Sequence, residues 1–202
     1  MGIAKLEAKT GATRGAWCLL IAVAMLAAAN IWSQEPGTKP EMAAAAAGPQ
    51  SKTLPSPPAK ARVTLAGHAV TIDYSAPSMR GRKIMGSLVP YGEVWRTGAD
   101  SATTLTTSAS LMIGTLNVPA GKYTLFTLPS AGAWKLIVNK QTGQWGTEYH
   151  QAQDLGRTDM KTSMMASPQE VMSINFEKTS GNKTELHVKW DKTDVWVPVV
   201  AK

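Results

Sequence analysis

The sequence predicts an all-β domain, an antiparallel β-sandwich or partly open barrel of about eight short strands, behind an N-terminal segment of another kind. Three observations lead there. Apolar and polar residues alternate in short runs over most of the chain after residue 61, Gly, Pro, Ser or Asn closes these runs about every ten residues, and no helical period is sustained. The chain has 202 residues, 44% hydrophobic and 17% charged, which suits one globular core plus a non-globular portion.

Residues 1–32 begin with Lys5, Lys9 and Arg14 and continue into AWCLLIAVAMLAAA at 16–29, a basic region followed by an apolar one. That is the pattern of an export signal, with Ala27 and Ala29 offering a small-residue cleavage site. If it is not removed, the segment to Trp32 is long enough to tether the protein to the inner membrane. The expected location is therefore exported, periplasmic or extracellular, with membrane contact only through an uncleaved N-terminus. Cys18, the sole cysteine, lies inside this segment, so the mature chain would have no thiol for disulfides, nucleophilic catalysis or metal binding.

Residues 33–60 are rich in Ala, Pro, Gly and Ser with few large side chains, and read as a disordered linker. The domain, 61–202, opens with RVTLAGHAVTIDYS at 62–75, a hairpin turning at Gly67–His68. A glycine- and proline-punctuated loop follows to about residue 101. Alternation resumes in ATTLTTS at 102–108, SLMIGTLNV at 110–118, GKYTLFTLP at 121–129 and AWKLIVNK at 133–140, which read as a meander. Residues 141–169 have the weakest period and read mostly as loop. Three strand-like runs then close the chain, separated at 180–182 and 191–193.

The formal charge is +7, falling to +5 if residues 1–32 are lost. Its bases are scattered, with one cluster at Arg80, Arg82 and Lys83, so nucleic acid is not an expected partner. No nucleophile elbow, zinc-protease helix, calcium loop or dinucleotide fingerprint is present, and PAGKY at 119–123 lacks the glycine and hydroxyl residues of a phosphate loop. His68, His150 and His187 are far apart, so no metal site and no cofactor is expected. His68 and His187 read as solvated or hydrogen-bonded histidines; His150, near Glu148 and Asp154, is the one with chemical company.

The densest stretch is VPYGEVWRTGAD at 89–100. Arg80, Arg82 and Arg96 offer donor forks for a carboxylate, phosphate or sulfate, and Tyr91, Trp95 and Trp145 offer aromatic walls. Glu93 and Asp100 supply carboxylates. The competing structural reading plugs the core with Trp95 and pairs Arg96 with Asp73, Glu93 or Asp100. Trp134, Trp190 and Trp196 lie in alternating runs and read as core.

YSAPS, RGRKI, LVPYGEVWRTGAD and ATT, followed by PAGKYTLFTLP, Trp145–Gly146 and VKWDK, together resemble DUF2911, a bacterial family of unknown function, over about residues 62–200. The resemblance implies an exported, β-rich domain and brings no mechanism. The family pattern has Asn-Glu after TGA where this chain has Asp100–Ser101, which moves the carboxylate by one position and, in an extended segment, to the opposite side. The leading functional expectation is a non-catalytic module that binds a small anionic or polar ligand or an envelope glycan at the Arg80–Asp100 loop. The alternatives are a metal-independent hydrolase using Glu93 or Asp100 with His150, and a structural or protein-interaction module of the envelope.

Overall fold

A computed structural model describes residues 55–202; residues 1–32, read above as a signal or anchor, and most of 33–60, read as a linker, lie outside the described residues. The described chain is almost wholly antiparallel sheet. Its nine strands are β1 (Pro58–Leu65), β2 (His68–Ser75), β3 (Thr104–Thr107), β4 (Leu111–Ile113), β5 (Leu116–Val118), β6 (Gly121–Leu128), β7 (Trp134–Asn139), β8 (Asp154–Ser180) and β9 (Lys183–Ala201). One 3-10 turn, Gln151–Gln153, precedes β8. The spatial order is β1-β2-β3-β6-β7-β8-β9-β4-β5, a single curled sheet that does not close into a barrel.

The predicted first hairpin is present, with Leu65 opposite His68 and positive φ at both Ala66 (47°) and Gly67 (85°). Two such residues give the turn the hand that matches the twist of its strands. β1 starts at Pro58, three residues inside the stretch read as linker. The meander expectation fails in the middle: β4 and β5 form a hairpin that leaves the run to pair with β9, and β3 pairs directly with β6.

The larger correction concerns the C-terminal half, where two long strands replace several short elements. Most of the weakly periodic stretch belongs to β8, which is internal to the sheet, bonded first to β7 through Met160 and then to β9 from Lys161 onward. Its period is hidden because the pairing register slips between Met164 and Gln169 and again before Ser173, and the residues between Lys161 and Val171 are mostly exposed, which interrupts the alternation of buried side chains. Asp191, expected in a turn, instead takes φ of 54° within β9 and the strand runs on.

The core is formed by the facing sides of the curled sheet, with Leu65, Ile72, Leu105, Leu136, Ile174 and Val197 all removed from solvent. Burying each such side chain contributes about 1.5–3 kcal/mol against the entropy of ordering it. Trp134 and Trp190 join this core as expected. Trp196 does not: it is half-buried and stacks on the His187 ring, with centroids 5.5 Å apart and planes within 6°. His187 is itself buried and hydrogen-bonded, Nδ1 lying 2.8 Å from Asp194 Oδ1 and Nε2 3.2 Å from Glu185 Oε2.

Candidate functional site

The site begins with a shortage of backbone partners. β3 pairs with β6 only as far as Thr124, so the groups of Leu125 and Thr127 on that edge need partners from elsewhere. The loop supplies them. Leu125 N–H donates to Thr103 O at 2.8 Å, and Trp95 and Thr127 exchange both backbone bonds, at 2.8 and 2.9 Å. The segment around Trp95 thereby stands where β3 would have continued.

That position fixes the Trp95 ring in the core. It is 8% exposed, stacks on Trp190 at 6.0 Å and meets Trp134 edge-on at 6.3 Å. Thr97 is buried with φ of 55°, a conformation costing about 1–3 kcal/mol for such a residue. Local bonds hold it there: its hydroxyl donates to Thr127 Oγ1 at 3.1 Å, and its carbonyl accepts from Thr103 Oγ1 at 2.9 Å. Gly98 then passes so close to β2 that an added Cβ would lie 3.1 Å from Ser75 O and 3.0 Å from Thr103 Oγ1. Only glycine fits without a shift.

A second loop closes on the first. Gly146 N–H donates to Asp100 O at 2.9 Å, Ala102 N–H donates to Gln144 O at 3.2 Å, and Ser101 bridges Trp145. A Cβ on Gly146 would sit 2.6 Å from Arg96 Cδ and 2.7 Å from Asp100 O, so the arginine stem lies directly on this glycine. The loop is anchored below by Tyr149, whose hydroxyl donates to Asp154 Oδ2 at 2.7 Å and accepts from Arg157 Nη2 at 2.6 Å. Asn139 Nδ2 and Arg157 Nε donate to the same Asp154 carboxylate. Burial, and then the Asp154 hydrogen bond, raise the Tyr149 pKa above its ordinary value.

Between the loops is a cleft of about 390 Å³, within the size range of small-molecule sites. Its charged lining is Arg82, Arg96 and Asp100, and its aromatic lining is Trp95, Phe126, Tyr149 and Trp190. Arg96 is partly buried. Its Nε donates to Gly98 O at 3.2 Å, and among the described residues neither terminal nitrogen has a hydrogen-bond or ion-pair partner. Arg82 is held by its own loop, Nε donating to Met79 O at 2.9 Å and Nη2 to Ser78 O at 2.6 Å.

Four of the eight residues proposed from the sequence therefore share one cleft: Arg82, Trp95, Arg96 and Asp100. The other four do not line it. Arg80 is turned to the rim, its Nη2 donating to Pro55 O at 2.6 Å and its backbone N–H to Glu170 Oε1 at 2.8 Å. Tyr91 leans over Gly86 and lines a separate shallow depression with Trp134 and Met164. Glu93 is exposed, and Trp145 is 50% exposed beside the cleft, whose wall is made by its neighbours Gly146 and Thr147. The ion pairs considered for Arg96 with Asp73, Glu93 or Asp100 do not form among the described residues; Asp73 is paired with Lys60 at 2.8 Å. His150 is exposed, and no hydrogen bond among the described residues joins its ring to Glu93, Asp100, Glu148 or Asp154.

Phe126 and Tyr149 were invisible as site residues in the sequence. Phe126 belongs to a strand buried on both sides, where one face enters the core and the other meets the loops, and its edge-on contact with Tyr149 at 5.0 Å joins strand to loop. The repeated spacing of Gly143 and Gly146 was the one available signal that this second loop approaches another segment closely.

The architecture defines an antiparallel β-domain whose two ordered loops wall a cleft carrying arginine and aromatic groups. The chain belongs to the DUF2911 family, described as a protein of unknown function, whose sequence model matches residues 56–199. No curated protein and no solved structure matches the chain.

Proposed function

We propose that the domain is a binding module for a small ligand bearing a carboxylate, phosphate or sulfate, held in the cleft between the Trp95–Asp100 turn and the 143–149 loop. The observation that carries this reading is Arg96. Its stem is packed on Gly146 and its Nε is fixed by Gly98 O, while the residue lines the cleft and neither terminal nitrogen has a protein acceptor among the described residues. A buried or half-buried guanidinium is normally used up by internal acceptors, so an oriented, unspent fork suits an external anion.

Arg82 adds a second positive charge to the same lining, and the aromatic residues beside it lower the local polarity, which strengthens a charge-assisted bond. The cost of holding Thr97 in a left-handed conformation is in keeping with a turn shaped for a site rather than for stability. Titration calorimetry with phosphate, sulfate and acetate tests the reading. At least one should bind at low ionic strength, and Arg96→Gln should weaken it by about tenfold or more, the equivalent of one charge-assisted hydrogen bond. Equal affinity in wild type and variant would defeat it.

A further inference from the structure

The cleft holds a carboxylate as well as its arginines, and a site built for a bare anion would gain nothing from one. Asp100 is an exposed residue that lines the same cleft as Arg96, and its side chain accepts no hydrogen bond from any donor among the described residues. Its backbone is fixed from two sides. The backbone takes φ of 55°, and the carbonyl is held by Gly146 N–H at 2.9 Å, the same glycine on which the Arg96 stem rests. Gly146 thus touches both the backbone of the acceptor residue and the stem of the donor fork.

Resting on the anion-site reading above, we infer that Asp100 is a specificity-determining residue and that the ligand is amphoteric in hydrogen bonding. It carries an anionic group for Arg96 and a set of donors, hydroxyl or ammonium, for Asp100. An anion without donors meets like-charge repulsion from Asp100, whereas a ligand with both ends satisfies two oppositely charged groups at once. The 390 Å³ volume suits a ligand about the size of a sugar acid or a dipeptide, and the half-buried Tyr149, backed by the buried Trp95 and Phe126, offers its apolar face a wall. Sugar hydroxyls and a peptide ammonium are the two sources of the required donors.

Calorimetric titration of the domain with acetate, glucose, glucuronate and glycylglycine separates these possibilities. Glucuronate or glycylglycine should bind about tenfold or more tighter than acetate, since a hydrogen bond to a charged group is worth at least that factor. Which of the two is preferred identifies the donor as hydroxyl or ammonium. Asp100→Asn should abolish the preference and raise acetate affinity. Asparagine is nearly isosteric and tolerates the left-handed conformation, so the variant should retain the fold, checked by an unchanged melt. If acetate binds as tightly as both bifunctional probes, or if the preference survives Asp100→Asn while Arg96→Gln still weakens every anion, the role of Asp100 is wrong and the anion site stands. If no anionic probe binds, both fail.

Discussion

Replacing Trp95 by alanine asks whether the loop is part of the fold or an ornament on it. The ring is 8% exposed, stacked on Trp190 and edge-on to Trp134, so its removal opens a cavity bounded by two other large side chains that cannot readily collapse. Buried aromatic residues truncated to alanine cost about 3–5 kcal/mol, a figure that already contains the lost ring contacts. Domains of this size have about 5–15 kcal/mol in total, so the variant should lose roughly a fifth or more of its stability. Urea unfolding followed by fluorescence, with the slope compared between proteins, measures the loss as a shift in midpoint at unchanged slope. A loss below about 1 kcal/mol would refute the placement of Trp95 in the core, because no surface aromatic change outside such a contact normally exceeds that.

Gly146→Ala should destabilise the protein by about 1–3 kcal/mol, measured by thermal or urea unfolding, since the new Cβ would meet Arg96 Cδ at 2.6 Å and Asp100 O at 2.7 Å. It should also abolish anion binding by displacing Arg96, whereas Gly132→Ala, with open space around its Cβ, should do neither. Tyr149→Phe should cost about 1–1.5 kcal/mol, read from the same unfolding curves, through loss of the bonds to Asp154 and Arg157. Because the folded state holds the Tyr149 proton more tightly than the unfolded chain, its contribution is complete below pH 10.0 and declines as pH rises from there through the raised folded value. Wild type should therefore lose stability in that alkaline window relative to Tyr149→Phe, and a spectrophotometric phenolate titration should show one late-titrating group missing from the variant.

The all-β class and the first hairpin were legible because alternation and turn residues act locally, and in β1 and β2 nothing interrupts them. β8 was not legible, since slips in register interrupt its alternation and part of its pairing, that with β7, is set at long range. The departure of β4 and β5 to the side of β9 is likewise a long-range choice, invisible to spacing alone. At the site, the concentration of glycine, aromatic and arginine residues in 89–100 pointed to the right loop. What it could not show was which side chains turn toward which partner. Arg96 and Tyr91 are five residues apart, yet one lines the cleft and the other leans over Gly86: the backbone bonds between Trp95 and Thr127 set the facing of Arg96, while Tyr91 lies in the turn before them, next to Gly92, whose N–H is held by Pro129 O.

A crystal structure of the domain grown with glucuronate or glycylglycine tests the central claim most directly. The account predicts the ligand's carboxylate about 2.7–2.9 Å from the terminal nitrogens of Arg96, with its donors turned to Asp100. A ligand bound elsewhere with Arg96 untouched, or a cleft in which Arg96 swings away to solvent, would contradict it.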